Sequence, residues 1–302
     1  MSPAQRRKRR SKSKSKKFLL ILFFATFLFV LVTHQTKFWR SDAKSFLLIR
    51  RSGGDIAVSI FDPKLEKVTN IIIPKNTEVT VARQLGTWKL GSVWKLGENE
   101  GLEGRLLAET IVKHFKLPVV VWADSGAEGF AGGELMGIIK AVFVPYKTNL
   151  GIGDRVKIGF FSVRIKNLKR EEIDLSETNI LKQVTLIDGE EGYILTGGLP
   201  NWLNALFSNP KISSAGTKVI IVDATGKTQI AEEVGEVIEV MGAKLASIKR
   251  RKAEGFDCEI LGKEKEVVDE MSKLFSCRKP KNLPQGNFDL EIRIGEDFAR
   301  RF

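Results

Sequence analysis

The stretch "IIIPKNTEV", residues 71–79, runs three isoleucines into a proline and then sets a cation, an amide and a hydroxyl side by side. Lys75 brings a positive charge suited to an anion, and Asn76 brings a neutral oxygen and two N–H donors. Asp55, just before the apolar run "IAVSIF", supplies a carboxylate, the ligand type that Mg²⁺ asks for. Asp62-Pro63-Lys64 is a turn between the two apolar runs, so 55–61 and 68–73 are expected to pair as a hairpin. Asp55 and Lys75 sit at the start and end of those paired strands and are expected to meet at one rim. The candidate catalytic residues are therefore Asp55, Lys75 and Asn76. Lys75, Asn76 and Lys89 are the ligand-binding candidates, and Asp55 is the candidate metal ligand.

Other signals are weaker. Gly226-Lys227-Thr228 lies between an expected strand and an expected helix, as the end of a phosphate-binding P-loop does. The full motif needs a glycine five residues before its Gly-Lys pair, and that position is Ile221. A tight turn with Thr228 as N-cap is the plainer reading. "DSGAEGFAGG", 124–133, is read as a loop, since its glycines lack dinucleotide-binding spacing. Of the two histidines, His34 borders an apolar run and His114 falls on the apolar side of an expected helix. No His/Cys group has metal-ligand spacing, and there is no G-x-S-x-G elbow, so a His-dependent hydrolase is excluded.

The elements that position these residues follow a basic tail and an apolar run. Residues 1–17 hold nine of the lysines and arginines and no acid, so removing them reduces the net charge from +13 to +4. This tail is expected to be disordered. "FLLILFFATFLFVLVT", 18–33, carries no charge, and with 34–36 as its polar exit it is just long enough for a single transmembrane helix, 18–36. Cations before the span place the tail in the cytoplasm and the bulk of the chain outside it. An uncleaved signal anchor is preferred to a cleaved signal peptide, because "LVTHQTKFW" offers no small-x-small cleavage site. Topology accounts for the tail without nucleic acid, which is an unlikely partner.

Residues 37–45 read as a short linker. Strand-like runs at 45–51, 55–61 and 68–73 open a first domain, 45–212. "WKLGSVWKLG", 88–97, is a loop with one internal echo, "EGRLLAETIVKHFKL" a helix at 103–117, and "VVVWA" a buried strand at 119–123. "DRVKIGFFSVRI", 154–165, alternates as a strand would. From 217 to 302 the order is strand, helix, strand, strand, helix, strand, which is read as a split βαβ unit. The fold class is thus α/β, built as two-layer α+β domains. Cys258 on "FDCEIL" and Cys277 just past the second helix are expected to form a disulfide, since both lie on the oxidising side of the span and adjacent elements can bring them together.

In this order the pieces resemble a known family. Residues 217–302, through "VIIVDATG", "IAEEVGEVIEVMGAKL" and "DLEIRIGEDFARRF", resemble the LytR C-terminal domain. "GGDIAVSIFDPKLEKVTNIIIPKNTEV" is similar to the hairpin of the LytR–CpsA–Psr catalytic domain. That resemblance implies a mixed-sheet domain and transfer of a glycopolymer from a polyprenyl-pyrophosphate carrier to peptidoglycan, with arginines on the pyrophosphate and aspartates on Mg²⁺. Where the family has Arg-Asp after Ile-Pro, this chain has Lys75-Asn76. Lys loses the bidentate fork and Asn loses the anionic oxygens. Asp55 matches the first family aspartate, but the Arg-rich motif is missing, and Arg155, Arg164 and Arg170 stand apart in a strand-like region. The expectation is a membrane-anchored envelope protein that binds cell-wall glycan, a lipid-linked precursor or an envelope partner without transferring it. The alternative is an active, divergent Mg²⁺-dependent phosphotransferase.

Overall fold

The computed structural model describes residues 36–302 together with Phe18. The basic tail 1–17 and, apart from Phe18 and Thr36, the expected span 18–36 lie outside the described residues. Among the described residues no helix is long and apolar enough to cross a membrane.

Strands β1 (Ser45–Arg50), β2 (Ile56–Asp62) and β3 (Lys67–Ile73) form an antiparallel meander, with Ile56 opposite Ile73 as the hairpin reading requires. A ribbon of β4 (Glu78–Thr80) and β5 (Thr87–Lys89) leads to helices α1 (Leu90–Asn99) and α2 (Gly104–Phe115). β6 (Val121–Ala123) joins β1 in parallel. Next come α3 (Glu128–Gly132), α4 (Leu135–Phe143), α5 (Ile152–Arg164) and β7 (Arg170–Asp174), which joins β3 in parallel. The sheet order is β6-β1-β2-β3-β7, and a separate ribbon pairs β8 (Leu181–Thr185) with β9 (Glu191–Leu195).

This domain has three layers, where two were expected. Every residue of β2 is buried, because both faces of the sheet are covered. Leu48, Val58, Ile60 and Ile71 pack with Trp94, Leu107, Ile111 and Phe115 of α1 and α2. On the other face Leu47, Phe61, Val68 and Ile72 pack with Phe130, Ile138, Val142 and Val156 of α3, α4 and α5.

Several local expectations are corrected. Residues 152–164 form a helix, not a strand, and their alternation was misleading because Gly153, Val156, Gly159 and Ser162 make a buried stripe at helical spacing. Gly159 is needed there: a Cβ would sit 2.6 Å from Val142 Cγ2, so α4 and α5 cross too closely for a larger residue. The "WKLG" echo is not one loop. Its first copy ends β5 and begins α1, and its second lies wholly within α1. Most of "DSGAEGFAGG" is a 3₁₀ turn and the short helix α3, with Gly129 against the backbone of Gly137.

After α6 (Asn201–Phe207) and α7 (Pro210–Ser213) comes a four-stranded sheet of β10 (Lys218–Ala224), β11 (Lys244–Arg250), β12 (Cys258–Gly262) and β13 (Leu290–Gly295). Helices α8 (Ile230–Val240) and α9 (Lys265–Phe275) share its core, and α10 (Glu296–Arg301) ends the chain. The strand–helix order is as expected, but the βαβ unit is not split. The sheet runs β11-β10-β13-β12, with β10 and β11 adjacent and parallel, because element order alone leaves open which strand edges pair. Gln229, in a left-handed conformation, precedes α8, and Thr228 does not cap it. The local turn is held instead by Thr225, whose hydroxyl donates to Asp223 Oδ1 at 2.6 Å.

Cys258 and Cys277 are joined as a disulfide, with Cα atoms 4.9 Å apart. The return that brings them together is a short parallel bridge between Glu259 and Arg278.

Residues 37–43 are a docked strap, not a linker. Asp154, fully buried in the first turn of α5, accepts N–H bonds from Lys37, Phe38 and Trp39, the last two at 2.9 and 2.8 Å. Trp39 is buried against Phe161 at 5.2 Å between ring centroids. Arg40 reaches Glu266 of α9 at 2.8 Å, and Lys211 bridges Asp42 and Glu266. The strap therefore ties the first domain to the second.

Two stability predictions follow from these links. Asp154→Asn keeps the shape but leaves one neutral acceptor for three N–H groups, so denaturant unfolding of the full chain in detergent should lose about 2–3 kcal/mol. An unchanged midpoint would mean that the carboxylate does not hold the strap. The Cys258→Ala, Cys277→Ala double variant should lose about 3 kcal/mol in the same measurement.

Candidate functional site

The hairpin does bring Asp55 and Lys75 together, but through the backbone. Lys75 N–H donates to Asp55 Oδ1 at 2.9 Å, and the ammonium turns back to Gly53 O at 3.2 Å. The turn is crowded: Gly91 packs so near that a Cβ would meet Lys75 Cβ at 2.8 Å. Asn76 donates from Nδ2 to Glu191 O at 2.9 Å and so fastens the β9 edge. Lys89 is neutralised by ion pairs with Asp188 and Glu190, and these raise its pKa. The four candidates are thus neighbours in one braced corner where each side chain already has a protein partner.

Mg²⁺ does not fit this corner. It wants near-octahedral oxygen ligands, and here one Asp55 oxygen holds an N–H while Asn76 turns its amide Nδ2 to a carbonyl. Among the described residues no group of three or more His, Cys, Asp or Glu could hold a metal ion.

Two of the three dispersed arginines are likewise engaged. Arg155 and Arg164 lie on helix α5 and Arg170 opens β7, so only the last belongs to a strand. Arg155 donates to Ala141 O at 2.9 Å and to Val144 O, and stacks 4.2 Å over Tyr146. Arg170 donates to Ala131 O and Ser162 O at 2.8 and 2.6 Å. Arg155 and Arg170 spend their guanidinium forks on backbone carbonyls, so neither has a fork free for pyrophosphate.

A space large enough for a ligand lies elsewhere, at the junction of the domains. A cavity of about 440 Å³ lies between α2, the β6 edge, the end of α9 and the C-terminal residues. Its apolar walls include Val112, Val119, Val120, Leu274 and Phe302, and Lys37, Arg105, Lys273 and Arg301 stand on its border. A smaller cavity of about 120 Å³ shares Phe38, Val120, Lys273 and Leu274 with it. Arg105 is paired with Glu109 and Arg301 with Asp257, both at 2.8 Å. Lys37 and Lys273 have no ion pair among the described residues. Lys273 Nζ donates to Lys37 O at 2.7 Å, and both ammoniums lie near the Phe38 ring, 5.8 and 5.0 Å from its centroid. None of Asp55, Lys75, Asn76 or Lys89 lines either cavity.

No family model matches the chain, and no curated protein matches it. The chain is similar in structure to LytR–CPS2A–Psr family proteins. Against B. subtilis TagT the identity is 14%, with 55% of this chain and 89% of that one covered at a TM-score of 0.39. The LytR–CPS2A–Psr family protein YwtF (TagT) with bound octaprenyl pyrophosphate lipid gives the same identity and coverage at 0.38. A transcriptional regulator from Enterococcus faecalis is 12% identical, with 70% and 90% covered at 0.36. Similarity at this level is one of outline, and no site or activity follows from it.

The junction residues were missed in the sequence because they are scattered from Lys37 to Phe302. Each is unremarkable in its own segment: Arg105 and Lys273 are ordinary polar positions on amphipathic helices. His114 is structural, as its place on α2 suggests. Its Nδ1 accepts the Thr80 N–H at 3.3 Å.

Burial first, then the Lys116 and Lys113 charges, lower the His114 pKa from 6.5 to about 4. Between those values the unfolded chain binds the proton and the folded chain does not. The stability from neutral His114 is therefore present above pH 6.5 and lost as pH falls toward 4. His114→Gln should flatten that part of the stability–pH curve, measured by thermal unfolding, and an unaltered slope would assign it to other groups.

Proposed function

We propose that the chain is a membrane-anchored, extracytoplasmic protein of the cell envelope that binds an anionic lipid-linked precursor without transferring it. The observation that carries this reading is the junction cavity. Apolar walls suit a hydrocarbon chain, and two lysines with no ion pair among the described residues suit a phosphate at its mouth. Absence of transfer is supported by the Asp55–Lys75 corner, where the carboxylate braces a turn. The anchor is supported by the apolar run 18–33 and by the nine cations ahead of it.

Octaprenyl pyrophosphate, the lipid in one of the similar structures, is a suitable probe for the full chain in detergent. Wild type should bind it, and Lys37→Ala with Lys273→Ala should weaken binding about tenfold, as the loss of two charge-assisted contacts implies. Lys75→Ala should bind like wild type. Equal binding by the junction variant, with loss in Lys75→Ala, would return the site to the hairpin rim. Mg²⁺-dependent release of the prenyl lipid in the presence of peptidoglycan would establish the phosphotransferase instead. A reporter fused after Phe302 should be active only outside the cytoplasm.

A further inference from the structure

Helices α4 and α5 carry an apolar face that no other part of the described chain covers. Leu135, Met136, Ile139, Phe143, Val144 and Ile152 are large apolar residues between 43% and 68% exposed. Met136, Ile139 and Phe143 follow one another at helical spacing on the side of α4 opposite the buried Ile138, Ala141 and Val142. Phe143 and Val144 at the end of α4 are drawn to the start of α5 by Arg155, which donates to the carbonyls of Ala141 and Val144. The exposed side chains therefore belong to one corner of the domain.

Charge and position identify what covers that corner. Residues 135–170 contain eight lysines and arginines and a single acid, Asp154. That acid is buried and engaged by the strap, so it does not offset the charge at the surface. Lys140, Lys157, Arg164 and Lys166 have no ion-pair partner among the described residues, and three of them, Lys140, Arg164 and Lys166, are exposed. Exposed large apolar residues among unpaired cations are the chemistry of a surface that lies in the headgroup region of an anionic bilayer.

Asp154 then supplies the geometry. It holds Lys37 N–H at 3.1 Å, two residues beyond Ile152, so the chain enters the domain at this corner. The residues ahead of Lys37 are the apolar run and its three-residue polar exit. A span ending there leaves no slack with which to lift α4 and α5 away from the membrane.

We propose that the α4–α5 face, from Leu135 to Arg164, is a second membrane contact, seated on the outer leaflet beside the span and selective for anionic lipid. This rests on the anchored topology proposed above. It fixes the orientation of the domains on the membrane, which a single flexible tether would leave free.

The test uses the full chain in vesicles, and because both native cysteines are paired, introduced thiols label selectively. Phe143→Cys and, as a control on the second domain, Leu283→Cys carry an environment-sensitive fluorophore, with a nitroxide quencher in the lipid. In phosphatidylglycerol vesicles the probe at 143 should be quenched severalfold more than that at 283. Replacing phosphatidylglycerol with phosphatidylcholine, or introducing Lys140→Glu with Arg164→Glu, should weaken the contact by about fivefold per cation lost.

Equal quenching at the two positions, with the protein still resistant to alkaline extraction, would overturn the docking face and leave the anchor standing. A probe at 143 shielded from water but not quenched by lipid would also overturn it, and would assign the face to segment 18–33 or to a second copy. Quenching at 143 in protein that alkaline buffer extracts would uphold the face and remove the anchor.

Discussion

The carboxylate of Asp154 is the interaction on which the arrangement of the described chain depends. Burying a charge is costly unless it is fully hydrogen-bonded. Here the compensation comes from successive backbone N–H groups of residues 37, 38 and 39, which have no helix or sheet of their own to bond in. Charge-assisted bonds of this kind are stronger than neutral ones. They convert what composition presents as a linker into a strap with one conformation. With its start fixed, Arg40 and Asp42 can reach Glu266 and Lys211, and the two domains close around Phe38.

The junction cavity is a consequence of that closure. Its walls come from α2, the β6 edge, α9 and the C-terminal residues, none of which forms a pocket alone. The two lysines at its border form no ion pair among the described residues, although Asp269 and Glu270 lie one turn before Lys273 on α9. Lys273 instead gives a hydrogen bond to the strap's own backbone at Lys37. The strap is thus a structural tie and one wall of the space proposed to hold a ligand.

The hairpin rim shows the opposite outcome. Asp55, Lys75, Asn76 and Lys89 do gather in one corner, yet each spends its polar group on its neighbours. A carboxylate that braces an N–H and an ammonium held by two acids are poorly placed to capture a metal or a pyrophosphate. Residue type and proximity, which local sequence reveals, are necessary for a site. Whether the groups remain unspent is a property of the surrounding packing.

What the sequence by itself determined was whatever depends on neighbours along the chain. The β2–β3 hairpin was legible because its turn residues and both apolar runs lie within one short segment, and α2, α8 and α9 because their apolar stripes repeat at helical spacing. The Cys258–Cys277 bridge was legible because the chain holds only two cysteines and both sit on adjacent elements. Helix α5 was misread because glycine and serine share its buried face with Val156 and Ile158, and the close approach of α4 at Gly159 accounts for the small residue there. The third layer, the unsplit pairing of β10 with β11, the docking of residues 37–43 and the cavity are contacts between segments far apart in the chain. Such contacts are selected by which surfaces exclude water and satisfy one another's hydrogen bonds, so they were decided only when the whole chain had folded.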